Sequence, residues 1–240
     1  MATIDIGATK GSQFIRAGVQ EPWATIRAGA GTQLYNASTT GQSVFTYYSK
    51  GTSDPDWNQL RRTGVVFDLS ALGGNEVTAA SLSLDYSGTI GTLDDETDLD
   101  VVPFTPTAAA SVVAADYALA NWDMSTPLND TPLDTSASTS VGTGYPITLN
   151  ASGHSYLTSG LGEANYWLGV VQVLDRTNTA PTWGGTDGWT YDGGEASVLS
   201  LTYGVPTTDI AKAAGIAEAS IAKYAGIAKA SVAKVAGIAN

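Results

Sequence analysis

The chain has 240 residues, of which 43% are hydrophobic and only 14% are charged, with 27 glycines and no cysteine. This length is enough for one large core, and an all-β domain of about 200 residues commonly remains a single domain. The lack of cysteine excludes disulfides, thiolate metal sites and cysteine nucleophiles. Residues 1–208 hold 7 Lys and Arg against 21 Asp and Glu, whereas residues 209–240 hold 4 Lys against 2 acids. An acidic body of this kind argues against nucleic acid as a partner.

The first residues, Met1-Ala-Thr-Ile-Asp-Ile-Gly, lack the basic and apolar regions of a signal peptide. Nowhere do 18 uncharged apolar residues follow one another, so no membrane span is expected. The sequence therefore predicts a soluble protein that does not use the Sec export route.

Short β-prone segments separated by Gly, Asn, Asp and Pro run through most of the chain and predict strands. Alternation is clearest in 81–86, where Leu82, Leu84 and Tyr86 fall on one face, as a half-buried strand requires. The predicted strands are Gln13 to Arg16, Ser43 to Tyr48, Thr63 to Phe67, Ala80 to Tyr86, Leu99 to Phe104, Pro146 to Asn150, Tyr166 to Val173 and Ser197 to Tyr203. The fold class that follows is all-β.

One segment within this body has helical character. The alanine-rich residues between Pro106 and Trp122 combine high helix propensity with a helical spacing of Val112, Ala115 and Leu119. A short helix that caps an open end of a sandwich is predicted there.

From residue 210 the sequence repeats with a period of 11, as Ile/Val-Ala-Lys-Xaa-Ala-Gly-Ile-Ala in three copies that begin at Ile210, Ile221 and Val232. Eleven residues make about three helical turns, so the first residues of the repeats return to one stripe that can bury against other chains. The repeat predicts a helical tail that forms a homo-oligomer, expected to be a trimer, and a disordered or strand-like tail is the alternative. The residues expected to mediate oligomerisation are Ile210, Ile216, Ile221, Tyr224, Ile227, Val232, Val235 and Ile238.

Several segments together resemble the DNRLRE-type jelly roll, a β-sandwich module related to carbohydrate-binding domains. They are Arg61-Arg62-Thr-Gly-Val-Val-Phe-Asp68-Leu-Ser-Ala-Leu, the alternating strand from Val77, Ala180-Pro-Thr-Trp183 and the closing strand from Ser197. The resemblance covers roughly residues 10–204 and implies a jelly-roll body, residues 1–205, followed by the repeat tail, residues 206–240.

The tail itself resembles the Ile-Xaa-Lys-Xaa-Xaa-Gly-Ile/Val repeats of structural proteins of tailed phages. That resemblance implies a virion protein, made in the host cytoplasm, whose partners are its own copies, other virion proteins such as the major capsid or tail protein, and host surface glycans.

Catalytic signals are weak in this sequence. The single histidine, His154, has no Gly-Xaa-Ser-Xaa-Gly nucleophile motif to serve, and a solvated histidine at a strand end is the simpler interpretation. Most aspartates lie in turn contexts, as in Ser53-Asp-Pro-Asp56, where the carboxylate caps the backbone. We expect a protein that is not an enzyme. Glycoside hydrolysis, which needs only two suitably spaced carboxylates among the 23 acids, is the catalytic alternative.

The residues Asp94, Asp95, Glu96, Asp98 and Asp100 place five acids within seven positions. Such a cluster offers enough oxygen ligands for a structural calcium ion. It lacks the glycine and the terminal glutamate of an EF-hand loop, so a solvated acidic turn is the favoured interpretation and calcium the alternative. No other cofactor is indicated.

Trp183, Asp187, Trp189 and Tyr191 lie in a glycine-rich segment and are the candidate ligand-binding residues. Exposed aromatic faces beside a carboxylate are suited to stacking on sugar rings, whereas core packing or a subunit contact is the plainer interpretation. The leading functional hypothesis is a head- or tail-associated virion decoration or fibre protein that acts in particle assembly and surface adhesion. A carbohydrate-binding module and a polysaccharide-degrading enzyme are the alternatives.

Overall fold

The structure, a computed structural model, describes residues 1–37, 43–73, 75–91, 96–184, 186–192 and 197–204. Within these ranges the side chains of residues 37, 43–45, 90, 186 and 189–192 are not described. The strands of the described chain are β1 Ala2–Gly7, β2 Lys10–Pro22, β3 Gln33–Ala37, β4 Ser43–Lys50, β5 Asp56–Phe67, β6 Glu76–Ile90, β7 Leu99–Pro103, β8 Gly144–Thr148, β9 Tyr166–Gln172, β10 Thr186–Asp192 and β11 Val198–Gly204. The helices are α1 Trp23–Ala28, α2 Ala151–Ser159 and α3 Val173–Thr177.

The strands form two layers that share the long strand β6. In the first layer the order is β1-β11-β6-β8, and β8 pairs with residues 81–85 of β6. In the second layer β5 lies at the centre, with β2 and then β3 on one side. On its other side the first half of β5 pairs with β4, and β4 pairs with β10. The second half of β5 pairs with β9, and β9 pairs with β7. The pairings whose register is given for the described strands (β1–β11, β10–β4, β10–β6, β2–β3, β2–β5, β4–β5, β5–β9, β6–β8 and β7–β9) are antiparallel, and residues Met1–Tyr203 form one compact unit.

The first core cluster lies between the two layers, where side chains from both sheets and from α2 meet. Leu82 and Leu84 of β6 and Leu199 and Leu201 of β11 are fully buried there. The opposing sheet contributes alternate residues of β5, β7 and β9, namely Val65, Phe67, Leu99, Val101, Leu168 and Val170. Alternation along each strand therefore directs one set of side chains into this cluster.

The second core cluster lies on the other face of the β5 sheet, under α1 and the segment 104–127. It is rich in aromatic side chains and contains Phe14, Trp23, Ile26, Tyr48, Trp57, Leu60, Val66, Val102, Phe104, Val112, Tyr117, Trp122, Trp167 and Val171. Because clusters cover both faces, β9 is buried at every position after Tyr166. A continuous apolar run such as 166–172 is the sequence pattern of a strand buried on both sides.

The all-β prediction is confirmed, and each of the eight predicted strands overlaps a strand of the structure. Strands β1, β3 and β10 were not predicted, because they are only five to seven residues long and polar residues interrupt their apolar positions. The domain boundary at residue 205 and the helical tail stay predictions, because residues 205–240 lie outside the described residues.

The predicted helix between Pro106 and Trp122 is wrong. Only two short 3-10 turns form there, Ala114–Tyr117 and Leu119–Asn121. The Asp116 carboxylate accepts the backbone N–H groups of Thr107 and Val113, which folds the segment into a compact loop. Burial of Tyr117 and Trp122 on the sheet therefore overrides the helix propensity of the alanines.

The predicted strand ending at Asn150 stops at Thr148, and helix α2 follows. The Asn150 side chain accepts the N–H of Gly153 and caps the helix at its first turn. His154 lies in α2, so its interpretation as a strand-end histidine is wrong.

Candidate functional site

The candidate ligand-binding surface is the loop region around Trp183, which is half-buried and packs partly against the second core cluster. Its indole N–H donates to the backbone oxygen of Asp56 at 3.2 Å. The Lys50 ammonium lies 5.6 Å from the ring centroid, over one face of the indole. A sugar ring can stack on that face only if the flexible Lys50 side chain moves away.

Glu96 fixes the backbone beside Trp183. Its carboxylate accepts the N–H of Thr182 at 3.0 Å and the Thr182 hydroxyl at 2.6 Å. It also accepts the Tyr48 hydroxyl at 3.1 Å, and Tyr48 is fully buried in the second core cluster. The loop is therefore tied to the core by a residue that is 86 positions away from Thr182 in the sequence, a connection that no local spacing could have predicted.

The remaining candidate ligand residues lie on β10. Asp187 is half-buried, and its backbone oxygen accepts the Gln172 amide at 3.4 Å. Trp189 and Tyr191 are placed in β10 by their backbones, opposite Thr46 and Val44 of β4. Since the side chains of Trp189 and Tyr191 lie outside the described part, their grouping with Trp183 as a sugar platform stays a prediction.

The described carboxylates of the acidic run, those of Glu96, Asp98 and Asp100, do not converge on one site. Glu96 binds Thr182, the Asp98 carboxylate accepts the N–H of Thr135, and Asp100 binds Arg176 and Asn129. In the described ranges no three His, Cys, Asp or Glu side chains come close enough to hold a metal ion. Asp94 and Asp95 lie outside the described residues, so calcium binding stays a prediction.

The most strongly organised polar feature is a buried arginine cluster, formed by Arg27, Arg62, Tyr117 and Asp175. Arg62 is fully buried and binds both carboxylate oxygens of Asp175, at 2.6 and 2.9 Å. Its remaining hydrogen bonds go to the backbone oxygens of Tyr117 and Arg27, and the Tyr117 ring lies 4.3 Å from the guanidinium carbon. Arg27 reaches the same carboxylate at 3.3 Å. One acid thus joins β5, α1 and α3.

Electrostatics within this cluster favour charged arginine at its centre. Burial lowers the pKa of Arg62, but the Asp175 carboxylate and Tyr117 together raise the pKa by more, so the net value lies above the usual range. Burial lowers the pKa of Arg27, and the attraction of Asp175 offsets this only in part. Burial raises the pKa of the Tyr117 hydroxyl, which donates to the backbone oxygen of Ile26. The arrangement can hold secondary structure in place, and it offers no reactive group to solvent.

A second ion pair extends this network to the acidic run. Arg176 follows Asp175 in α3 and binds Asp100 at 2.5 Å. Asp100 also accepts the amide of Asn129, whose oxygen in turn accepts the N–H of Val101. Sequence reasoning missed Asp175 and Arg176, although an acid directly after the apolar run 166–174 is a signal of a buried partner for one of the few arginines.

His154 and a groove beside β8 give no catalytic arrangement among the described residues. The Nε2 of His154 is buried and has no hydrogen-bond partner. A groove of about 440 Å³ lies between β8 and residues 130–138, with Asp130 and Asp134 among its lining residues. The described lining contains no aromatic ring, and both carboxylates accept hydrogen bonds from neighbours, Asn150 and Ser136. The groove and the Trp183 surface do not share a residue.

The predicted oligomerisation residues lie in 205–240, outside the described residues. Comparison with known proteins finds no protein-family model that matches the chain and no matching curated protein. Within the described residues, no helix has the length and apolar character that crossing a membrane requires.

Proposed function

We propose that the chain is a structural protein of a tailed-phage particle, a head- or tail-associated decoration or fibre protein. In this proposal the body is a jelly roll and the repeats of residues 206–240 hold copies of the chain together, as a trimer, and attach them to other virion proteins. The observation that carries the proposal is the threefold 11-residue repeat, whose apolar residues return to one stripe.

The body supports this proposal through its rigidity. Two core clusters cover both faces of the central sheet, and the buried arginine cluster fastens the layer of α1 and residues 104–127 to it. A jelly roll is supported by two antiparallel layers that share β6 and enclose the first core cluster. A protein of this kind resists loss of structure while its loops contact a host surface.

The experiment compares two doubly substituted full chains with the natural chain by light scattering at several concentrations. I221D/V232D puts charges on the apolar stripe, whereas the matched control S220D/S231D adds the same charges one position away from it. We expect the natural chain and the S220D/S231D control to be trimers. The I221D/V232D variant should be monomeric at micromolar concentration, as should a chain that ends at Val205. A monomeric natural chain, or a trimer that tolerates I221D/V232D, contradicts the proposal.

A carbohydrate-binding module is the second candidate, and the half-buried Trp183 supports it. The indole is held by Asp56 and by the Glu96–Thr182 contact, so a stacking surface would be preorganised. W183A should abolish retention on a glycan array, whereas Y35A, which removes the exposed Tyr35 ring of β3, should not. Equal retention of both variants contradicts sugar stacking on Trp183.

A further inference from the structure

Strand β1 forms an outer edge of the first layer. Among the described strands it pairs only with β11, over six consecutive residue pairs without a bulge. It contains no Pro, Lys or Arg, the residues that commonly prevent an edge strand from pairing further. Two other edges are protected: β8 carries Pro146, and β7 is covered by Leu133, which exchanges backbone hydrogen bonds with Leu99.

The hydrogen bond of Ala8 shows which residues of β1 direct their peptide groups towards β11. Its N–H donates to the oxygen of Ser197 at 2.8 Å, and this contact continues the register in which Gly7 pairs with Val198. In an antiparallel ladder the peptide groups of alternate residues point to opposite sides. The even residues of β1 therefore bind β11, and the peptide groups of Thr3, Asp5 and Gly7 point outward along an edge that no other described strand occupies.

The side chains of β1 also suit an additional strand. Ile4 and Ile6 are half-buried and pack against the first core cluster from its rim. Thr3 and Asp5 are exposed on the opposite face of the sheet. A further strand beside β1 would cover the remaining apolar surface of Ile4 and Ile6 and would bind three outward peptide groups.

We propose that β1 pairs in antiparallel fashion with β1 of a second copy, about a twofold axis, with Ile4 opposite Ile4 of the second copy. This register joins the outward peptide groups of Thr3 and Asp5 in hydrogen-bonded pairs and sets each Asp5 opposite a threonine. It also places Ala2 opposite Ile6. The neighbouring register centred on Asp5 brings two carboxylates together, which is unfavourable.

A second copy of the chain is the partner we expect at the β1 edge, because the repeat tail begins beside this strand. Ala2 pairs with Tyr203, so residues 205–240 follow directly from the strand next to β1. The inference deepens the proposed function, because repeats that hold three copies together raise the local concentration of β1 edges. A twofold pair then uses two of the three β1 edges of a trimer. Six residues alone make a weak contact, so pairing depends on that concentration or on concentrated protein.

The natural absence of cysteine allows a direct test of the register in the full chain. Single-cysteine variants I4C, T3C and D5C are oxidised under mild conditions, with A79C, at an exposed position of β6, as the control. Opposed residues on paired strands lie close enough for a disulfide. We expect I4C to form dimers at least about tenfold faster than A79C, as the high local concentration of paired strands implies. T3C should cross-link with D5C faster than either does with itself.

Self-linking of T3C or of D5C ahead of I4C would show another register and overturn the proposal. Equal rates for I4C and A79C would show that β1 does not pair with a second copy, whatever else binds its edge.

The variant T3P separates loss of β1 pairing from loss of folding. T3P removes an outward N–H and no backbone hydrogen bond to β11; towards β11 it removes only the exposed contact between the Thr3 and Thr202 hydroxyls. The body should therefore keep its circular dichroism spectrum and a Tm close to that of the natural chain. In T3P/I4C the cross-linking rate should fall to that of A79C. The two proposals fail separately: an intact oligomer without I4C cross-linking refutes β1 pairing, and I4C cross-linking in a chain that is monomeric when dilute refutes assembly by the tail.

Discussion

Arg62 is a fully buried cation with four hydrogen bonds, two to Asp175 and two to backbone oxygens. A buried charge of this kind is tolerated only when its partners are complete, because each ion loses several kcal/mol of hydration. The resemblance to the DNRLRE-type module pointed to an arginine at 61–62, but it did not show which of the two is buried. The partner was missed, because Asp175 lies 113 positions away and only its place after an apolar run distinguishes it from the other acids.

The substitution D175N should therefore lower the free energy of unfolding by about 3–5 kcal/mol, because it leaves Arg62 and Arg27 without their shared carboxylate. Denaturant unfolding of the full chain measures this effect. The matched control is E21Q, which breaks the partly exposed Arg16–Glu21 pair and should cost about 1 kcal/mol or less. Equal effects of the two substitutions would show that the buried cluster contributes no more than a surface pair.

Strands β5 and β9 show how sequence patterns predict elements but not their contacts. Their apolar runs predicted strands, and β9 and the second half of β5 are buried on both faces. Gly64 and Gly169 interrupt these runs and lie opposite each other in neighbouring strands. Glycine inside a strand indicates close approach of another group. The structure shows which groups these are: Phe104 lies against Gly64 and Trp122 against Gly169, and the two rings stack with their centroids 4.1 Å apart.

The substitution G169A tests this packing. A Cβ atom at this position would lie 2.8 Å from the Trp122 ring and 3.0 Å from Val102, in a region that has no room for it. We expect a loss of about 1–3 kcal/mol in the free energy of unfolding, as for other overpacked cores. G73A is the control, since its Cβ would meet only the Gly162 backbone at 3.9 Å. A stability of G169A equal to that of G73A would contradict the assignment.

The candidate loop surface was less predictable than the strands. Trp183 was identified from its glycine-rich surroundings, and the structure adds Lys50, Glu96 and Asp56, which come from distant parts of the sequence. The helix predicted at 106–122 was wrong for the same reason, because contacts with distant parts of the chain decide the structure there. Local propensity favoured a helix, but the side chains of Asp116, Tyr117 and Trp122 gain more by closing a loop over the sheet.

At the scale of the whole molecule, stability should be highest at the centre of the β5 sheet. Residues 63–67 and 166–172 have strand neighbours on both sides and core clusters on both faces. Native-state hydrogen exchange should therefore be slowest there and faster in β8, an edge strand with an exposed outer face. Exchange in β8 as slow as in β9 would mean that the body opens only as one unit.

The pairing of Ala2 with Tyr203 also determines how the body carries load. Tension between Met1 and Gly204 acts on two neighbouring antiparallel strands at the same end of their ladder, so their hydrogen bonds break one pair after another. Peeling of this kind needs far less force than shearing a whole ladder at once. Strand β1 should therefore yield before any other strand and draw Ile4 and Ile6 from the rim of the core, and a second strand bound to its open edge would raise the force at which it yields.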